Sequence, residues 1–167
     1  GVIAARLLTD KISSTSDILM ARIIHSGKND SNQGKNRREG FCHYLKETGF
    51  TGNLHEVELK INDSVYNFIK LEEIFNSTCY ILGNYLKARG MQRVKLVGYD
   101  LIERNTQLLF DGVITALVAQ RPERQGYDGI KSLCNHLLFK QNPEKVNLMP
   151  IDILLKENLK YYLNNKL

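Results

Sequence analysis

The chain has 167 residues, 43% of them hydrophobic and 25% charged, with a formal net charge of +5. That suits one globular domain with a core of its own, since domains commonly run to about 100–200 residues, and it excludes a disordered or low-complexity chain. No apolar run approaches the ~20 residues of a membrane span, so a water-soluble protein is expected.

The 23 lysines and arginines are spread along the chain, which favours a generally solvated basic surface over a nucleic-acid footprint. Cys42, Cys79 and Cys134 are odd in number, far apart and without C-x-x-C spacing. Neither a disulfide framework nor a zinc site is expected from them, and a reducing cytoplasm suits them best. The chain starts at Gly1 in a helical pattern, without an initiator methionine or a signal sequence. A fragment that has lost an N-terminal region is therefore expected.

Two periodicities alternate along the sequence. Residues 2–12 predict a helix, and 17–24, an apolar run with β-branched residues, a strand. The polar stretch 25–37 predicts a loop, followed by a helix over 38–48 that ends at Gly49. A strand over 55–61 precedes helices over 64–75 and 78–89, the second stopped by Gly90. A strand over 93–98 leads to a helix over 102–110 closed by Asp111-Gly112. A strand over 114–119 precedes a long helix over 123–140 entered at Pro122, and an extended stretch over 146–154 leads into a short polar helix. Such alternation predicts an α/β fold, a parallel sheet with helices on both faces. No repeat of 20–50 residues is present.

In open parallel sheets ligands sit beyond the carboxyl ends of the strands, where loops converge and helix N-termini aim their amides into one crevice. Asp100 stands at such an end, after "VKLVGY", and Gln120 stands at the matching end of the next strand. Each could instead cap the helix that follows or serve its turn. The loop 25–37 borders the same edge. Its glycines and lysine do not form a phosphate loop, because six residues rather than four lie between Gly27 and Gly34-Lys35 and Asn36 replaces Ser or Thr. Arg37 and Arg38 are expected to open the next helix, at its positive end. A cation kept there calls for a partner such as Asp100, unless both arginines simply face water.

No Ser/His/Asp set, paired acids or metal cluster is visible, and G-x-G-x-x-G is lacking after the first strand. His25, His43, His55 and His136 are isolated in sequence, which points to surface or packing roles. No catalytic activity, metal or cofactor is expected.

The segments "NRREGF", "FNSTCYILGNYL", "VKLVGYD" and "ALVAQRPERQGYDGI", taken in order, resemble the C-terminal lobe of type 1 periplasmic binding proteins and of the LacI-type transcriptional regulators. The resemblance covers nearly the whole chain. It implies a three-layer α/β/α lobe, with residues 1–167 forming mainly the C-terminal lobe of an effector domain. The N-terminal lobe and the DNA-binding domain would lie outside this chain. In that family two lobes, joined by crossover strands, hold a sugar or related small molecule in the cleft between them. The resemblance assigns ligand contacts to Arg37, three residues before Gly-Phe, and to Asn76, Asp100 and Gln120.

It also implies a cytoplasmic homodimer whose sugar effector alters the affinity of an N-terminal helix-turn-helix for operator DNA. The alternative is a sugar-binding protein for transport or for a membrane sensor. Two departures stand out. The helix over 64–75 passes almost directly to Asn76, without the strand that the family places there, and Ser77 replaces the aspartate of many members.

Overall fold

The computed structural model describes residues 1–25, 32–61 and 79–164. Its elements in chain order are α1 (Val2–Thr9), β1 (Ile18–His25), α2 (Asn32–Glu47), β2 (Leu54–Ile61), α3 (Cys79–Ala88) and β3 (Val97–Tyr99), then α4 (Glu103–Phe110), β4 (Ala116–Ala119), α5 (Pro122–Phe139), β5 (Asp152–Leu154) and α6 (Lys156–Asn164). The helix expected over 64–75 lies outside the described residues, as do Asn76 and Ser77.

Strands β1 and β2 pair in parallel, from Ile18 with Leu54 to His25 with Ile61. Strand β4 lies between β3, which it pairs in parallel, and β5. The β4–β5 pair is antiparallel, with Leu117 opposite Leu154 and Ala119 opposite Asp152. The expected parallel pairing holds for β1–β2 and β3–β4, and β5 alone departs from it. After α5 the chain runs on through residues 140–151, which form neither helix nor strand, and β5 then lies alongside β4 in the opposite sense. Several elements are also shorter than their apolar patterns: residues 93–96, 114–115 and 146–151 form no strand.

Strand β4 shows why the sheet needs cover on both sides. Neighbouring residues of a strand point to opposite faces, yet Ala116, Leu117, Val118 and Ala119 are all at most 4% exposed. Such a run, apolar at every position, is what two covered faces require. Leu117 and Ala119 join Tyr80, Leu108, Leu109, Leu154 and Leu159 in the main core, which α3, α4 and α6 supply. The alternate residues Ala116 and Val118 point to the other face, and α1 packs against β3 and β4. Burying one leucine of this kind stabilises by roughly 1.5–3 kcal/mol.

Helix α4 presents Asn105, Leu108 and Leu109 to the interior at i, i+3 and i+4 spacing. Two close approaches set the packing of α3. A Cβ on Gly83 would lie 2.7 Å from Leu108 Cδ1, and one on Gly98 of β3 would collide with Cys79. Gly49, Gly90 and Gly112 follow helix ends with φ of 67°, 64° and 76°, the left-handed conformation that their helix-stopping role demands.

Helix α5 differs from the rest. None of its residues is buried, although Ile130, Leu133, Leu137 and Leu138 are 67%, 57%, 58% and 72% exposed. No described helix is long and apolar enough to cross a membrane.

Candidate ligand site at the carboxyl ends of β3 and β4

Because β3 and β4 run parallel, the residues that follow them share one edge of the sheet. Asp100 follows β3, and its N–H donates to Val118 O at 3.0 Å, extending the β3–β4 ladder by one bond. Its φ is 67°, a left-handed conformation uncommon outside glycine, though more accessible to aspartate than to most residues. Asn105 holds this turn. Its Nδ2 donates to Tyr99 O at 3.2 Å and to Asp100 O at 3.1 Å.

The capping alternative for Asp100 does not hold. The N-cap of α4 is Ile102, without a side-chain cap bond. Gln120 does not cap α5 either, because Arg121 occupies that position and Pro122 begins the helix. Instead Gln120 Oε1 accepts a bond from Gln33 Nε2 at 3.3 Å, which ties the first turn of α2 to the end of β4. Arg121 turns toward β5, where its guanidinium donates to both carboxylate oxygens of Asp152 at 2.7 and 2.8 Å.

Helix α2 begins at Asn32, so part of the expected loop 25–37 is helical and Arg37 and Arg38 lie well inside it. The argument from the positive helix end therefore falls away. The polar residues 32–37 carry no apolar periodicity to reveal a helix, which is why its start was not legible. The two arginines also part company. Arg38 forms a two-bond pair with Glu56 of β2, at 2.8 and 2.6 Å. Arg37 reaches the other way, and its guanidinium carbon stands 3.9 Å from the centroid of the Tyr99 ring. Its contact is thus an aromatic face rather than an ion pair with Asp100.

Arg37 and Asp100 nevertheless both lie beside Tyr99, Arg37 against its ring and Asp100 next to it in the chain. Burial pushes the Tyr99 hydroxyl above its ordinary pKa, the positive charge of Arg37 opposes this, and the negative charge of Asp100 adds to it. The structure brings Arg37, Asp100 and Gln120 to one edge. Tyr99, Asn105 and Gln33 join them there although the sequence had not singled them out. Tyr99 sits within the "VGYD" stretch, and Asn105 could have been found as the one amide on an otherwise apolar helix stripe. Gln33 gave no signal.

This edge offers guanidinium N–H donors, a carboxylate acceptor and side-chain amides that both donate and accept. That set matches vicinal hydroxyls. Two histidines that looked isolated in sequence have acidic neighbours: His43 is 3.3 Å from Glu47 and His55 is 3.7 Å from Asp17, both pairs exposed. His136 Nδ1 lies 3.1 Å from Gln141 O. Among the described residues no three His, Cys, Asp or Glu side chains gather as a metal site would need.

Comparison with solved structures gives the fold. A Bacteroides fragilis protein assigned as a LacI transcriptional regulator is 38% identical, with a TM-score of 0.82 over 96% of this chain and 60% of that one. The fold is of the type 1 periplasmic-binding-protein kind. Lower identities accompany the same fold in two transport proteins. The periplasmic ribose ABC transporter structure from Conexibacter woesei is 13% identical, with a TM-score of 0.75 over 98% of this chain and 58% of that one.

A carbohydrate-transporter solute-binding protein from Agrobacterium radiobacter, solved with D-arabinose, is 22% identical, with a TM-score of 0.69 over 94% of this chain and 58% of that one. The chain therefore spans about 60% of the length of the LacI-assigned structure. These solved structures are of a regulator and of sugar-binding proteins rather than of enzymes. No family model matches the chain. No curated protein is significantly similar to it.

Proposed function

We propose that this chain is mainly the C-terminal lobe of the ligand-sensing domain of a LacI-type transcriptional regulator, and that its effector is a carbohydrate. The observation that carries the reading is the 38% identity, over 96% of the chain, to a structure assigned to such a regulator. The transport proteins share the fold at 13% and 22% identity. In this reading Arg37, Asp100 and Gln120 form one wall of the cleft, and Asn76 contributes from outside the described residues. Adjacent hydroxyls can bridge a carboxylate and a guanidinium, each charge-assisted bond contributing roughly 1.5–3 kcal/mol.

The other wall belongs to a second lobe. The uncovered apolar side of α5, where Ile130, Leu133 and Leu137 are more than half exposed, supports a lobe that does not stand alone. The regulator works as a cytoplasmic homodimer in which sugar binding favours one arrangement of the lobes over another, and a helix-turn-helix domain reports the difference to operator DNA. Such coupling needs unequal affinity for the two arrangements.

The test uses the full-length protein. A thermal-shift screen of pentoses, hexoses and sugar acids identifies the effector, and operator affinity is then measured with and without it. A sugar that raises the melting temperature and changes operator affinity supports the reading. A sugar that binds without altering operator affinity favours a transport or sensor role, and no response to any carbohydrate overturns the proposal.

A further inference from the structure

We infer that Asn105 is a positioning residue for the proposed ligand site, its buried side-chain amide fixing the left-handed turn on which Tyr99 and Asp100 are displayed. Asn105 is 0% exposed, on the same stripe of α4 as Leu108 and Leu109. An apolar residue would serve packing there better, since a buried amide is costly unless its bonds are made. What the amide does is specific. One Nδ2 donates to two successive carbonyls, Tyr99 O and Asp100 O, at the point where β3 ends with Tyr99.

Those two carbonyls flank the residue whose φ is 67°. Glycine would adopt that conformation without strain but would bring no carboxylate. An aspartate there needs the surroundings to hold it, and Asn105 does so from the core side while Val118 O holds the Asp100 N–H from the sheet side. Because the ring of Tyr99 carries the Arg37 guanidinium, one buried amide governs the placement of both charged groups. The inference deepens the sugar-site reading, but its structural half stands apart from it.

The first test is a crystal structure of the full-length protein carrying Asn105→Leu, with Asn105→Ala as the smaller variant should the leucine prevent folding. Residue 100 is expected to leave the left-handed region and Arg37 to leave the Tyr99 ring. A folded variant that keeps φ near its parent value overturns the proposal. If neither variant folds, Asp100→Gly decides: with Asn105 intact the turn stays left-handed, and a glycine that moves out of that region refutes the inference.

The second test is calorimetry with D-ribose, D-arabinose and D-galactose as probes. Asn105→Ala is expected to weaken binding at least tenfold in the parent and less than threefold in an Asp100→Asn background. Equal losses in both backgrounds mark a merely structural residue and overturn the inference. Should none of the three sugars bind the parent, the choice of effector is at fault, and the crystal geometry alone judges Asn105.

Discussion

Replacing Gly98 with alanine adds one methyl group at the tightest point between β3 and α3. An ideal Cβ at this position would collide with Cys79 Sγ, lie 2.8 Å from Cys79 Cβ and 3.2 Å from Leu117 Cδ2. The leucine end can swing aside, but the Cys79 Cβ is fixed to the helix backbone, so β3 and α3 must separate. Overpacking of this kind costs about 1–3 kcal/mol. Alanine returns about 0.5–1 kcal/mol by restricting the unfolded chain, which leaves a net loss of about 0–2.5 kcal/mol, or about 1.25 kcal/mol between the midpoints. For a chain of this size each kcal/mol lowers the melting temperature by about 2–4 °C, so at that midpoint Gly98→Ala should melt about 2.5–5 °C below the parent. Calorimetric melting of the full-length protein reads this directly. In a Cys79→Gly background the obstacle is gone and the same substitution should be neutral or stabilising. An unchanged melting temperature in the single variant, or an equal loss in both backgrounds, would refute the reasoning.

Three further outcomes follow from the site and its surroundings. Arg37→Ala and Asp100→Asn should each weaken binding of the screened sugar by about 1.5–3 kcal/mol, roughly tenfold to a hundredfold; unchanged affinity by titration calorimetry would exclude that side chain from the pocket. Burial pushes the Cys79 thiol up to about 12, so at about pH 8 a thiol reagent should modify the exposed Cys134 long before Cys79. Rapid labelling of Cys79, located by mass spectrometry, would contradict the packing described. Bonds from Arg121 hold the Asp152 carboxyl below its ordinary range, partly opposed by burial. A depressed folded pKa gives stability that is present above the unfolded value of about 3.9 and lost as pH falls through the folded one. Since the Arg121 side chain is 48% exposed, the loss should stay below about 1 kcal/mol. Asp152→Asn should flatten the acid limb of the urea midpoint, and an unchanged slope would sink the assignment.

Much of the architecture was readable because its signals are local. Gly49, Gly90 and Gly112 all adopt positive φ after helices, as helix-ending glycines should. Pro122 enters α5 as expected. The apolar run 114–119 predicted a strand, and β4 forms within it at Ala116–Ala119. What escaped depends on contacts between distant segments. The direction of β5 is set by where the chain re-enters the sheet, which no periodicity encodes. The start of α2 escaped because Asn32 to Arg37 lack an apolar stripe, and the error placed Arg37 at a helix end. The strand edge bearing Asp100 and Gln120 was legible from the parallel-sheet rule alone. The partners they acquire were not. Gln33 lies 87 residues from Gln120, and only the folded chain joins them.

The two halves of this edge differ in stiffness, and under the proposed function the difference bears on selectivity. Gln33 and Gln120 share a single bond at 3.3 Å between neutral amides near the surface, worth no more than about 0.5–1.5 kcal/mol net. A ligand hydroxyl can take the place of either partner, so this half accommodates variation. The turn at Asp100 is different, because its N–H and both flanking carbonyls are bonded within the protein. The backbone that carries its carboxylate cannot shift without breaking those bonds. A ligand that lacks a hydroxyl opposite Asp100 therefore leaves a desolvated charge unpaired, which costs more than a mismatch at an amide that can re-pair. Discrimination among sugars should accordingly concentrate on the hydroxyls facing Asp100, with Gln120 setting how much change is tolerated around them.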